Sequence, residues 1–255
     1  MTRAILNFGV DDDLIYDPAI YDAQDNFDFD VPFFLKYARN AKGSVLELCC
    51  GTGRITLPLA KAGIDITGID FTPLMLKRAR EKATAQGLKI PLLQGDMRKI
   101  RLKKQFNLVF IPFNSIQNTY SLSDIEKVFE TVHKHLKMNG RFIFDIFNPS
   151  IYYMAKYKRV RKGLYKFRTE DGRRVIIDQL CQYLAGPQIN RTSWTFHIDG
   201  TKPKTRTLDM RCFYPQEMET LLKYNGFKVI KKFGNFDEDP FLNESMKQIF
   251  ICQKI

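Results

Sequence analysis

Between Ser44 and Phe147 short apolar runs alternate with longer segments of helical period, and that alternation leaves few folds open to the chain. The runs SVLELC, IDITGID, IPLLQGD, FNLVFIPFN and RFIFDIF have the length and composition of strands buried on both faces. RITLPLAKAG, TPLMLKRAREKATAQG and SLSDIEKVFETVHKHLKMNG intervene as helices. Thr72 followed by Pro73, and Ser121 or Ser123, mark helix starts, while Gly63, Gly87 and Gly140 mark expected stops. DFDVPFFLKYARNAKG, from Asp28, adds a helix ahead of the first strand. Strands and helices in this order predict a parallel, doubly wound α/β sheet with helices on both faces.

Beyond Asn148 the pattern changes to polar–apolar alternation, with Asp171-Gly172 and Asp199-Gly200 as hairpin turns. This predicts a small inserted antiparallel β-sheet subdomain over 151–212. PQEMETLLKYNGF, FKVIKKF and MKQIFICQK then return as helix, strand and strand to finish the larger domain, 1–150 and 213–255.

Composition removes several function classes. A chain of 255 residues, 44% hydrophobic, has enough apolar surface for one proper core with an appendage. No apolar run nears the roughly 18 residues of a membrane span, and the N-terminus MTRAILNFGVDDD lacks the pattern of a signal peptide, so a cytoplasmic protein with no membrane partner is expected. The five cysteines include no C-x-x-C pair and encode neither a disulfide framework nor a zinc site. The net charge of +12 is lopsided: the first thirty residues are rich in Asp, whereas Lys156–Arg174 is dense in Lys and Arg. That basic stretch reads as a charged strand face, with a polyanion-binding surface as its alternative. His133 and His135, two apart on one helix, read as surface residues, and His197 as structural.

In an open parallel sheet the ligand sits at the carboxyl ends of the strands, which directs attention to the turn Cys49–Gly53 after the first strand. A dinucleotide fingerprint needs a third glycine where Thr56 stands, and Glu47 would repel a pyrophosphate. Asp70, ending the second strand, is placed to accept ribose hydroxyls, and Gly95-Asp96-Met97, after the third, offers a carboxylate to an adenine amino group. The ligand so described is a nucleoside bearing positive charge and no phosphate.

LELCCGTGRITLPLAKAG, GIDFTPLMLKRAR, LLQGDMRKI, FNLVFIPFNSIQN and HLKMNGRFIFDIFNPS together resemble the successive motifs of class I S-adenosylmethionine-dependent methyltransferases over roughly residues 15 to 150. Cys49 departs from the pattern, standing where the family has its first glycine. The YDPAIYD arm and the β insertion look like the small-molecule N-methyltransferases that act on amino sugars or peptide amines. The resemblance implies a Rossmann-like sheet and S-adenosylmethionine as cofactor. It further implies Glu47 orienting the methionyl amino group through the turn of Cys49, Gly51 and Gly53, Asp70 on the ribose, and Phe71 and Met75 around the adenine. Asp96 and Met97 would touch its edge, Pro112-Phe113-Asn114 would leave the fourth strand beside the sulfonium, and Tyr16 and Tyr21 would close over it.

Methyl transfer from a sulfonium is an in-line displacement by a neutral nucleophile held near the methyl carbon, so most of the catalysis is positioning. Asn114, Asp145, Asn148 and Tyr21 are the candidates for orienting the acceptor, expected to be a small-molecule or peptide amine. The rival readings are a nucleic-acid methyltransferase, although Ile111-Pro112-Phe113-Asn114 replaces the Asn/Asp-Pro-Pro-aromatic run of exocyclic-nitrogen enzymes, and a cofactor-binding protein without turnover. The free edges of the inserted sheet make a homodimer contact there an expectation.

Overall fold

The computed structural model describes residues 8, 9, 12–155 and 158–255. By contacts the chain divides into two compact units, Phe27–Ser150 with Phe213–Ile255, and the described residues up to Asn26 with Ile151–Cys212.

The larger unit is built on seven strands: β1 (Val45–Leu48), β2 (Ile66–Asp70), β3 (Leu92–Gln94), β4 (Phe106–Ile111), β5 (Leu136–Phe147), β10 (Phe227–Phe233) and β11 (Lys247–Lys254). Their order across the sheet is β10-β11-β5-β4-β1-β2-β3. β1 to β5 run parallel, and β11 lies antiparallel between β5 and β10. Alternate residues of these strands supply two cores. On one face Leu46, Val109, Phe142 and Phe250 pack with Val128 and Phe129 of α6 (Leu122–His135) and Met218 and Leu222 of the helix Pro215–Tyr224. On the other, Val45, Leu108, Phe110 and Ile251 meet Phe33 and Phe34 of α3 (Val31–Asn40) and Leu59 of α4 (Thr56–Lys61). Each fully buried side chain of this size stabilises by about 1.5–3 kcal/mol, so the two-sided burial explains why these strands read as unbroken apolar runs. The doubly wound sheet expected from the sequence is therefore present.

Two local readings are corrected. α6 starts at the Ser121 cap, whose hydroxyl accepts from the Asp124 N–H, but it ends at His135 rather than at Gly140. Leu136–Gly140 is already extended, because Leu136 pairs with Phe106 and begins β5. His135 is not a surface residue: it is 2% exposed, its Nε2 accepts the Leu102 N–H at 2.8 Å, and its Nδ1–H donates to Thr131 O at 2.7 Å.

The smaller unit is a four-stranded meander of β6 (Arg159–Arg168), β7 (Arg174–Leu184), β8 (Ile189–Ile198) and β9 (Lys204–Arg211). Gly172 and Gly200 turn two of its hairpins with φ of 87° and 77°, which glycine adopts without cost. Ile15 and Ile20, from α1 (Asp12–Ile15) and α2 (Pro18–Gln24), pack with Val175, Ile177 and Phe196 of the sheet. The arm that the sequence reading attached to the larger sheet thus packs on the smaller one. Its acids are answered there, Asp13 by Arg206 and Asp17 by Arg173. Among the described residues no helix is long and apolar enough to cross a membrane.

Candidate functional site

The strand order reverses between β1 and β4: β2 and β3 follow on one side of β1, β4 and β5 on the other. The crevice beyond the carboxyl ends of β1 and β4 is where such a sheet takes a ligand, and the turn 49–53 stands at its edge. That turn holds three residues with positive φ: Cys49 at 65°, Gly51 at 54° and Gly53 at 84°. A side chain at Gly53 would meet Leu57 Cγ at 2.9 Å, so glycine there lets the start of α4 close on the turn. Cys49 meets the same backbone demand with a side chain, a conformation that costs an L-residue about 1–2 kcal/mol. Its sulfur lies 3.5 Å from Met97 Sδ. Burial, together with the Asp70 and Glu47 carboxylates, pushes the Cys49 thiol up, so it is no thiolate nucleophile.

Asp70 fixes the turn from the end of β2. Its Oδ2 accepts the Gly51 N–H at 2.7 Å, and its Oδ1 accepts the Thr72 N–H at 2.8 Å. A backbone donor that would otherwise face a phosphate is therefore spent on a carboxylate, which is the reverse of a pyrophosphate cradle. Burial raises the Asp70 pKa, and the two backbone bonds oppose it. Glu47, 1% exposed, lies below the turn and accepts from the Thr56 hydroxyl. Its burial pushes the carboxyl up to about 8 against the lowering effect of Thr56.

The remaining cofactor candidates divide. Phe71 is 66% exposed beside Asp70, whereas Met75 is 2% exposed and packed in the interior, where an apolar role accounts for it. Burial works to raise Asp96, but the paired bonds from Arg98 hold it below the usual carboxylate range; Nη2 to Oδ2 measures 2.8 Å. Arg98 also reaches Asp124 on α6 at 3.1 Å, which ties the β3 loop to that helix. Met97 is half-buried against the core. Tyr16 and Tyr21 lie in the smaller unit, Tyr16 against its apolar cluster and Tyr21 within α2.

At the ends of β4 and β5 the structure gathers most of the acceptor candidates and one residue that sequence reading missed. After the buried Pro112, Phe113 and Asn114 take successive left-handed conformations, φ 56° and 62°. Asp145, fully buried, accepts the Phe113 N–H at 2.7 Å through Oδ1, and its Oδ2 pairs with the Lys247 ammonium. Lys247 also donates to Asn114 Oδ1 at 3.3 Å. Asp145 thus anchors this corner. Asn148 donates to Ser245 O at 2.9 Å, while its Oδ1 is buried with no protein partner. Arg54 was also missed. It follows Gly53, forms a paired salt bridge with the buried Asp30 at 2.5 and 2.8 Å, and covers the Phe27 ring at 4.2 Å. No local pattern announces either cation's partner, since Lys247 and Asp145 are 102 residues apart. A hollow on the far side of α5 (Pro73–Ala85), lined by Lys77, Arg80, Glu81, Thr84 and Ala85, holds none of these groups, and strand topology outweighs it in placing the site. Among the described residues no cluster of His, Cys, Asp and Glu has the arrangement of a metal site.

Comparison with known proteins agrees with this geometry. Residues 45–140 match a family described as a methyltransferase domain. A Geobacillus sp. protein whose name is a provisional methyltransferase assignment is 26% identical over 247 residues, covering 95% of this chain and 96% of its own. Among solved structures, an S-adenosylmethionine-dependent methyltransferase from Clostridium acetobutylicum superposes with a TM-score of 0.75 at 21% identity, over 92% of this chain and 96% of its own. An amino pentose methyltransferase from Micromonospora echinaspora, solved with S-adenosylmethionine bound, gives 0.72 at 16% identity over 100% of both chains. At these identities the solved structures establish likeness of fold.

Proposed function

We propose that this chain, an S-adenosylmethionine-dependent methyltransferase, transfers the methyl group to an amine nitrogen of a small-molecule or peptide acceptor. The observation that carries the reading is the double use of Asp70. Its carboxylate holds the Gly51 and Thr72 N–H groups and so shapes the turn for a cationic nucleoside rather than a phosphate. The cofactor supplies an electrophilic methyl on a positively charged sulfur. Glu47 and the turn would orient its amino-acid end, Asp70 would take the ribose hydroxyls, and Phe71 and Met97 would hold the adenine.

The protein's own work is then placement. Asn114 and Asn148 orient the acceptor at the end of β4 and β5, and Asp145 with Lys247 keeps Asn114 in its left-handed conformation. The acceptor amine would attack uncharged, in line with the bond to sulfur: as the N–C bond forms the C–S bond breaks with its electron pair left on sulfur as S-adenosylhomocysteine, and the methylated ammonium then gives a proton to solvent. Fold likeness to a sugar N-methyltransferase supports nitrogen as the acceptor atom. The test is transfer of labelled methyl from S-adenosylmethionine into a panel of small amines and into cell extract, with and without RNA removed, followed by mass-spectrometric location of the methyl. Label on nitrogen in the small-molecule fraction is expected. Label confined to RNA would replace the reading by its nucleic-acid rival, and binding without any turnover by the binding-protein rival.

A further inference from the structure

Four phenylalanines from three separate segments meet beside the end of β4. Phe27 and Phe29 stack with centroids 4.6 Å apart, Phe27 lies 5.3 Å from Phe113, and Phe29 lies 5.8 Å from Phe236. The Lys247 ammonium stands 5.4 Å from the Phe236 centroid and 3.3 Å from Asn114 Oδ1, and Asn114 follows Phe113 in the chain. The contacts therefore close into a circuit, and the Arg54 guanidinium over Phe27 and Phe113 joins it to the turn 49–53.

Only Phe236 rests on the core, 5.4 Å from Phe33 and 5.9 Å from Phe34. Phe29 is 59% exposed and Phe27 and Phe113 are half-buried, although the larger unit has fully buried apolar sites on both faces of its sheet. Phe113 is held in a left-handed conformation by Asp145, and backbone strain of this kind persists where the surroundings impose it, commonly at ligand sites. The charges are also arranged. Arg54 is answered by Asp30 and Lys247 by Asp145, both acids buried, so each cation lies against ring faces with its countercharge turned inward. With both cations paired, the surface is neutral overall and offers one stacked and two tilted ring pairs, which favour an apolar ring that can stack or meet them edge-on over a hydrated polyhydroxyl.

We infer that Phe27, Phe29, Phe113 and Phe236 form the acceptor wall, and that the acceptor is an amine carried on an aromatic or other flat apolar ring. This rests on the methyltransferase reading of the same site and narrows its substrate class.

The test is calorimetry on the full-length protein saturated with S-adenosylhomocysteine, titrated with 2-phenylethylamine and, separately, with glucosamine. Phenylethylamine is expected to bind about ten-fold more tightly, and Phe29→Ala to weaken it about five-fold, as loss of one ring contact implies. S-adenosylhomocysteine affinity is expected to be unchanged in Phe29→Ala, whose side chain is exposed enough to leave folding intact, and Phe236→Leu, which keeps the apolar bulk, should weaken the ring amine in the same direction. The inference is overturned if glucosamine binds as tightly, if neither amine binds the complex, or if both variants bind phenylethylamine like the parent. Failure of S-adenosylhomocysteine to bind would instead strike the methyltransferase reading.

Discussion

Thr56, in the first turn of α4, donates its hydroxyl proton to the Glu47 carboxylate near the end of β1, and both residues are buried. Thr56 stands where a dinucleotide fingerprint has its third glycine, so the position that breaks that pattern instead supports the acid beneath the turn.

The buried acid gives a pH dependence with a definite sign. Burial raises the Glu47 pKa from 4.5 to about 8, so the folded state binds this proton more tightly than the unfolded chain. The stability it contributes is full below pH 4.5 and is lost as pH rises through about 8. Glu47→Gln is expected to flatten that slope and to be the more stable protein at pH 9. Urea midpoints measured from pH 5 to 9 for both proteins check it, and parallel curves would show that Glu47 is not the titrating group.

Asp70→Asn tests the turn. An amide has one acceptor oxygen in place of two, so either Gly51 or Thr72 loses its partner and the turn loses its charge. Loss of such a bond costs about 1–3 kcal/mol, and if the turn binds the cofactor that is about five- to 150-fold weaker binding of S-adenosylhomocysteine. An unchanged dissociation constant would remove Asp70 from the cofactor site.

Lys247→Met strands a buried carboxylate. Removing one partner of a buried ion pair costs about 3–5 kcal/mol, and the partial exposure of Lys247 puts the expected loss at the lower end, about 3 kcal/mol. The double variant Lys247→Met with Asp145→Leu should recover part of that loss in chemical unfolding. It should still lack activity, because Asn114 and Phe113 have lost the groups that hold them.

Cys49 carries a strain that glycine would not. Cys49→Gly gives up the sulfur contact with Met97 and some unfolded-state order, yet relieves about 1 kcal/mol of backbone cost, so thermal stability should be unchanged or slightly raised. Cys49→Val, with a β-branched side chain at φ 65°, should lie at least about 1 kcal/mol below Cys49→Gly. Equal melting temperatures for the two would mean that the turn relaxes around its first residue.

What the sequence determined by itself was everything that short-range chemistry specifies. The apolar runs became strands with helices on both faces, Ser121 capped α6, Gly172 and Gly200 turned hairpins, and Asp70 came to the end of β2 beside Gly51. These follow from periodicity, from φ demands and from the length of a βα unit, which are written in neighbouring residues. Tertiary structure decided which distant groups answer one another. His135 was legible only as one of two histidines on a helix, and its burial depends on Leu102 arriving from the loop before β4. Lys247 meets Asp145 because β11 inserts antiparallel between β5 and β10, with Ile249 in register with Asp145. Arg54 finds Asp30, and the arm finds the smaller sheet, through packing of segments that share no pattern. The physical reason is that a charge or ring pair carries no signal in the sequence spacing of its members; strand order and burial bring the two together, and those belong to the whole fold.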